Sequence, residues 1–340
     1  MTFSGLRFES YDATVSTPNV VVDGSPNPAT VLTVSHWPGS PVPPGCAADT
    51  SAQMALLYLD RGADLHGDAA LVTNNHFDQD GLVGVYALTN PEDAMRRRRQ
   101  LEDVAAAGDF ATCDHRSSAR LSMAVAALAD PARSPIEDLP EDYPEACALL
   151  YRTGLDLLPA WLDDPETCRP LWIDEDAELE AGLAAIASGS VSIEERAEID
   201  LAVVTLRGTG RSTGHRFTGR SFCGVHPIAL HRATARSTIL IVDVTRGRHR
   251  VTCRYEGWVQ LANRRVRPRV DLRPLADRLT AAEEGAARWH AAAPGDLTPE
   301  MGTVADGPPS SLDPTLLTAM LAEHLMTSPP AWDPYSADTS

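Results

Sequence analysis

The chain lacks an excess of basic residues, and this narrows its range of partners. It carries 29 lysines and arginines against 47 aspartates and glutamates, so its formal net charge is −18 over 340 residues. Binding to nucleic acid or to an anionic membrane surface requires a basic face that neutralises phosphates. The composition therefore argues against nucleic acid and membranes as partners, and it favours a small anionic or phosphorylated molecule over a long polyanion.

Long apolar runs and paired cysteines are also missing. No uninterrupted stretch of about 18 apolar residues occurs, and residues 1–11 lack the basic and then apolar pattern of a secretory signal. The six cysteines form no CxxC pair and no zinc-finger spacing, which is typical of reduced thiols in a large intracellular chain. We therefore expect a cytoplasmic protein without a disulfide framework.

Strands and helices alternate over residues 1–130. Runs rich in β-branched or other apolar residues at 19–22, 30–35 and 69–73 are bounded by proline, glycine, asparagine or aspartate, a pattern typical of short buried strands. A helix is predicted to begin near residues 49–51, where Asp49 or Thr50 can cap it, after the second run, and another helix follows the third run. Because alternating strands and helices pack as a parallel sheet covered by helices, the sequence predicts an α/β fold with a parallel-sheet N-terminal domain.

The rest of the chain changes character twice. Residues 131–190 are mostly helical in pattern and interrupted by prolines, which indicates a helical connector. Strand-like segments return over residues 191–310 with one amphipathic helix at 272–291 and a loop at 293–309, so a smaller α+β C-terminal domain is predicted. Residues 311–340 predict a short helix and then a disordered tail rich in proline, serine and aspartate.

An acidic loop directly after the third strand carries the most specific chemical signal. It reads His76-Phe77-Asp78-Gln79-Asp80-Gly81. Side chains two residues apart in an extended segment point to the same side, so His76, Asp78 and Asp80 can converge on one point. One imidazole and two carboxylates favour Mn²⁺ or Mg²⁺ over a thiolate-bound zinc. Since the following helix offers its N-terminus to an anion, the loop predicts a metal site that accepts phosphate.

Turn chemistry is the alternative explanation of this loop. Aspartate caps helices and glycine permits sharp turns, so Asp80 and Gly81 also fit a plain strand-to-helix connection. That explanation gives His76 and Asp78 no role, and metal binding is therefore favoured. His36 directly follows an apolar strand and could point into the same cleft, whereas a lone histidine is more often structural.

The strand, the H-x-D-x-D-G motif and the helix over residues 72–84 resemble the first motif of the DHH phosphoesterase superfamily. The resemblance implies an N-terminal domain of DHH type that holds one or two Mn²⁺ or Mg²⁺ ions. Asp114 and His115 would then correspond to the start of the Asp-His-His triplet that names the family. On this basis Asp114 and Asp109 would complete the metal shell, with Asp103 as an alternative to Asp109, and His115 would protonate the leaving group, which makes Asp114 and His115 the candidate catalytic residues.

The same resemblance implies hydrolysis of phosphoester or phosphoanhydride bonds in a small phosphorylated molecule, with help from a second domain. Candidate residues for binding the anionic substrate are Arg116, His215, Arg216 and Arg220. The last three lie in or beside a segment rich in glycine and arginine, and a tolerated surface loop explains that segment equally well.

Two further functions stay open. Arg116 stands where the DHH superfamily has a second histidine, which supports a non-catalytic or single-metal binding protein that retains the fold. A metalloenzyme of small-molecule metabolism with a different reaction is the other alternative, because a fold does not determine a reaction. The sequence also leaves a homodimer open.

Overall fold

The computed structural model describes residues 5–208, 213–214, 221–222, 225–304 and 307–336. The chain divides into two compact units. Unit 1 consists of Met1–Asp176 and Gln260–Arg265, and unit 2 consists of Ala177–Val259 and Val266–Ser340. The segment predicted as a separate connector, residues 131–190, is therefore shared between the units.

Unit 1 is built on a four-stranded parallel sheet. Its strands are β1 (Arg7–Phe8), β2 (Asn19–Val22), β3 (Thr30–Val34) and β4 (Leu71–Thr73), in the spatial order β1-β4-β2-β3. Each neighbouring pair is parallel. Every residue of β2 and β4 is buried, as expected for strands covered on both faces. The predicted mixed α/β class with a parallel sheet at the N-terminus is confirmed.

Seven helices accompany this sheet in the described part of the chain. They are α1 (Ser51–Asp60), α2 (Gln79–Thr89), α3 (Pro91–Arg96), α4 (Arg98–Asp109), α5 (Arg116–Leu128), α6 (Tyr143–Asp163) and α7 (Arg169–Ala187), of which α7 ends in unit 2. The start of α1 is fixed by a capping box between Thr50 and Gln53. Helix α2 packs against α1 and α4, and ten of its eleven residues are buried. It is thus the central helix of unit 1.

Unit 2 contains a six-stranded mixed sheet in the order β12-β13-β10-β9-β6-β5. Its strands in chain order are β5 (Val191–Arg196), β6 (Leu201–Leu206), β7 (Thr213–Gly214), β8 (Ser221–Phe222), β9 (Thr238–Asp243), β10 (Arg248–Cys253), β11 (Arg269–Val270), β12 (Trp289–Ala291), β13 (Glu300–Thr303) and β14 (Pro330–Trp332). Strands β7 and β8 pair with each other, as do β11 and β14. Only β6 and β9 are parallel among the paired strands described in unit 2.

The helices of unit 2 are α8 (Pro227–Ala233), α9 (Arg273–Ala282) and α10 (Pro314–Thr327). One face each of α9 and α10 packs into the apolar core beneath the sheet, where Leu275, Leu279, Leu317 and Leu321 are fully buried. No helix in the described ranges is long and apolar enough to cross a membrane.

Three sequence predictions for unit 2 are wrong. The helix expected over residues 272–291 ends at Ala282. The last three residues of the expected range, Trp289–Ala291, form β12 instead. The loop expected at 293–309 contains β13, and the tail expected to be disordered contains β14. The reason is tertiary pairing: β12 and β13 extend the six-stranded sheet and β14 pairs with β11, partners that local patterns do not reveal.

Candidate metal centre

The carboxyl ends of the parallel strands bring acidic and imidazole side chains to one edge of the sheet. Asp23 directly follows β2, His36 follows β3 by two residues, and His76 follows β4 by three. Asp80 lies on the first turn of α2, and Asp109 is the last residue of α4. Ligands of open α/β sheets bind at this edge because the loops that follow the strands meet there.

His36 is surrounded by three carboxylates. Its Nε2 atom lies 3.5 Å from Asp23 Oδ1, 3.8 Å from Asp80 Oδ2 and 3.5 Å from Asp109 Oδ2. Its Nδ1 atom donates a hydrogen bond to the carbonyl oxygen of Asp49 at 2.6 Å. Complete burial lowers the pKa of His36 although Asp23 opposes this. Because Nδ1 donates to a backbone carbonyl, Nε2 is the ring nitrogen that faces the carboxylates, an arrangement also found in metal-ligating histidines.

His76 lies between two carboxylates on the more open side of the same edge. Its Nε2 atom is 3.2 Å from both Asp23 Oδ2 and Asp78 Oδ2, and its ring packs at 5.2 Å from that of Trp37. Burial lowers the pKa of His76, but Asp78 and Asp23 outweigh burial and raise it to about 10. In the metal-free protein the ring is therefore an imidazolium, and a metal ion at this position would displace its proton.

Asp23 belongs to both arrangements. Its Oδ1 faces His36 and accepts a hydrogen bond from Ser51 Oγ at 2.8 Å, and its Oδ2 faces His76. Two groups could each hold a metal ion, because their ligand atoms lie within 4.8 Å of one another: Asp23, His36 and Asp80 form the first, and Asp23, His76 and Asp78 form the second. The first group is buried and the second is partly exposed.

The two aspartates of the sequence motif are held by helix N-termini. Asp80 accepts backbone hydrogen bonds from Ser51 and Ala52 at the start of α1, at 2.7 and 2.8 Å. Asp78 caps α2 by accepting the N–H of Gly81 at 2.8 Å. Burial, followed by repulsion from Asp23 and Asp78, raises the pKa of Asp80 well above its usual range. Such a carboxyl ionises readily only beside a cation.

Contrary to the prediction from the sequence, the three motif residues do not converge on a single point. The extended backbone ends at Asp78, which is the N-cap of α2, and Asp80 already lies in the helix. Asp80 therefore points toward His36, whereas His76 and Asp78 stay together. Asp23, which was not predicted from the sequence, joins the two groups. The available signal was its position directly after a buried strand.

The structure places the other predicted site residues as follows. The backbone N–H groups of Asp114 and His115 donate to Asp103 at 2.6 and 3.0 Å, and both side chains are exposed. Neither belongs to the metal-capable groups of the described residues. Arg116 forms an ion pair with Asp176 and donates to its carbonyl oxygen at 2.9 Å. The candidate substrate-binding residues His215, Arg216 and Arg220 lie outside the described residues.

These features define a two-unit α/β protein with a paired Asp/His centre at the carboxyl edge of a parallel sheet. The chain belongs to the family of unknown function DUF6687, whose family model matches residues 4–335. A search of curated proteins and a search of solved structures found no match.

Proposed function

We propose that the protein is a hydrolase of phosphoester or phosphoanhydride bonds that acts on a small phosphorylated molecule with two Mn²⁺ or Mg²⁺ ions. The observation that carries the proposal is the position of Asp23, whose two oxygens face the histidines of two different ligand groups. A carboxylate shared in this way is suited to bridge a pair of ions. Two-metal sites of this kind are common in phosphatases and nucleases.

Charge supports two ions rather than one. Asp23, Asp78, Asp80 and Asp109 place four carboxylates around two imidazoles. Closely spaced buried carboxylates cost folding free energy unless cations compensate them. With both histidines neutral, two divalent ions would balance the four negative charges. Oxygen and imidazole ligands without thiolate favour Mn²⁺ or Mg²⁺.

The distances between ligand atoms also leave room for an ion. Atoms bound at 2.0–2.2 Å to one ion lie about 3 to 3.6 Å apart when the angle between them is near 90° to 110°. His36 Nε2 is 3.5 Å from Asp23 Oδ1, and His76 Nε2 is 3.2 Å from Asp23 Oδ2. The two atoms of each pair could therefore bind one ion with little movement, so that each pair holds its own ion.

Different residues of the chain would have different roles in such a reaction. When bound, the metal ions would lower the pKa of a water molecule and stabilise charge on the phosphoryl oxygens. The side chains of His36 and Asp80 are 0 % exposed and would hold the inner position. His76 and Asp78 are 20 % and 13 % exposed, so a phosphate group would approach from their side. Hydrogen bonds from Ser51 and Gly81 orient Asp23 and Asp78 for this task.

The likeness to the DHH phosphoesterase superfamily supports the proposal through its first motif. The H-x-D-x-D-G segment connects β4 to α2, which is the strand, loop and helix order that the likeness implies. The proposal assigns no metal or acid role to Asp114 and His115, because their backbone bonds to Asp103 hold them outside the two ligand groups.

The proposal is tested by measuring phosphate release with and without Mn²⁺. We expect the full chain to hydrolyse p-nitrophenyl phosphate, bis(p-nitrophenyl) phosphate or pyrophosphate only with added metal, and chelation to stop the reaction. Asp78→Asn should reduce activity to background because it removes a ligand of the exposed group. Asp114→Asn is the matched control and should keep activity within about twofold, as a surface change does.

Metal binding without hydrolysis of any of these substrates would contradict the hydrolase proposal and favour a binding protein. Equal losses in Asp78→Asn and Asp114→Asn would contradict the location of the site.

A further inference from the structure

A cavity of about 400 Å³ lies in unit 1 next to the candidate metal centre. Its wall includes Asn74 and Asn75, the two residues directly before His76, and Asn74 Oδ1 accepts the backbone N–H of His76 at 3.2 Å. Small-molecule sites usually enclose about 300 to 1,000 Å³. The cavity is therefore large enough for the organic part of a substrate whose phosphate lies at the metal centre.

Two partly exposed aromatic rings, those of Phe8 and Tyr11, line one side of this cavity. The Tyr151 ring is fully buried and stacks on Phe8 with the ring centroids 4.9 Å apart, so it supports Phe8 and offers no free face of its own. The hydroxyl of Tyr151 accepts a hydrogen bond from Asn74 Nδ2 at 2.8 Å, which fixes the ring. The face of an aromatic ring attracts organic cations, because its quadrupole is negative there.

The charged residues around the cavity also favour an organic cation. Asp12, Asp142 and Glu145 are lining residues, and all three are exposed. Arg152 is the one cationic side chain among the described lining residues, and its Nη2 lies 3.6 Å from a carboxylate oxygen of Glu9. The wall therefore carries three carboxylates against one cation that already has an acidic neighbour. Such a site attracts a positive group and repels a negative one.

We propose that this cavity binds an alkylammonium group, so that the substrate is a phosphomonoester whose alcohol carries that group. The substrate assignment rests on the proposed function, whereas binding of the ammonium group does not. Aromatic faces and carboxylates act together in this recognition, as they do in sites for quaternary ammonium ligands. Neutral or acidic alcohols of the same shape would gain neither interaction.

The first test compares the binding of choline with that of 3,3-dimethyl-1-butanol to the full chain. The two probes have nearly the same shape, and only choline is charged. We expect choline to bind about fivefold more tightly or better, and this preference should weaken with added salt because the carboxylates are exposed. Binding is measured by ligand-observed NMR titration and needs neither metal nor turnover.

Matched variants test whether the lining carboxylates cause the preference for choline. The double variant Asp142→Asn, Glu145→Gln removes two lining charges, and asparagine still caps α6. It should reduce the preference for choline by about threefold or more, the effect of losing exposed ion pairs. Glu141→Gln removes the same charge from an exposed neighbour outside the lining set and should leave the preference unchanged.

Equal binding of choline and its neutral analogue would overturn the inference, as would a preference that the double variant retains. Failure of the inference and failure of the proposed function are distinguishable. If choline is preferred but no phosphate ester is hydrolysed, the cavity assignment holds and the hydrolase proposal fails. If phosphate esters are hydrolysed with equal kcat/KM for phosphocholine and 3,3-dimethylbutyl phosphate, the substrate assignment fails and the hydrolase proposal holds.

Discussion

Asp23 adopts a backbone φ of 53°, a left-handed conformation that is uncommon for residues other than glycine. Strained conformations of this kind cost about 1 to 3 kcal/mol and persist where surrounding contacts fix them. Here the N–H of Asp23 donates to the carbonyl of Val34 at 2.9 Å, and its carboxylate accepts from Ser51 Oγ. The turn directs the side chain between His36 and His76, which is the arrangement a bridging ligand needs.

The hydroxyl of Ser51 should tune metal affinity through Asp23. We expect Ser51→Ala to weaken Mn²⁺ binding by about tenfold, the usual effect of removing a group that orients a metal ligand. The measurement is an isothermal titration with Mn²⁺ at constant pH. Ser118→Ala, at a buried serine of α5, is the control and should bind as the wild type does. Unchanged affinity in Ser51→Ala would contradict the role given to Asp23.

Among the structural elements, the junction of α9 and β12 depends on one carboxylate. Glu283 is the C-cap of α9. It accepts hydrogen bonds from Trp289 Nε1 at 2.7 Å, Ser310 Oγ at 2.6 Å and the N–H of Ser311 at 2.8 Å. These bonds connect the end of the helix to the first residue of the strand and to the loop before α10.

The same contacts predict how stability depends on pH. Partial burial raises the pKa of Glu283, but the hydrogen bonds from Ser310, Ser311 and Trp289 outweigh it and lower the pKa below 4.5. The ionised carboxylate therefore stabilises the fold above about pH 4.5, and this contribution is lost as the pH falls through the folded-state pKa. We expect Glu283→Gln to lower the free energy of unfolding by about 1 kcal/mol at pH 7, and the difference should shrink below pH 4.

Urea unfolding at several pH values checks this prediction. Glu284→Gln, a change at the exposed next residue, should leave the pH profile unchanged. A difference between wild type and Glu283→Gln that grows toward low pH would contradict the assignment.

Elements with strong local signals could be predicted from the sequence. The run at residues 19–22 is β2, and α1 begins directly after its N-cap Thr50, near residues 49–51 as predicted. Strands β12, β13 and β14 could not be predicted, because they depend on partners that only the fold supplies. Trp289 illustrates this. Its spacing in the sequence from other apolar residues fits a helix, but its neighbours across the sheet place it in a strand.

The residues of the candidate site also divide into those that could be predicted from the sequence and those that could not. Of the metal ligands predicted from the sequence, His76, Asp78, Asp80 and Asp109 lie at one edge of the sheet, whereas Asp114 lies outside both ligand groups. Asp23 was not predicted, because β2 lies between β4 and β3 in the sheet although it precedes both in the chain. Only the strand order shows that the residue after β2 stands between the histidines that follow β3 and β4.

For the whole molecule, the acidic balance and the site are consistent with each other. The formal net charge of −18 repels polyanions, whereas the edge of the sheet in unit 1 concentrates four carboxylates that divalent cations would compensate. The proposed metal-dependent activity on a small molecule agrees with this distribution of charge.

The measurement that tests this account most directly is the number of Mn²⁺ ions bound per chain, determined by equilibrium dialysis and elemental analysis. We expect two ions in the wild type, two in the control Asp114→Asn, and at most one in Asp23→Asn, because that variant loses the carboxylate common to both groups. A wild type that binds no Mn²⁺, or an Asp23→Asn variant that still binds two ions, would contradict the bridged two-metal centre.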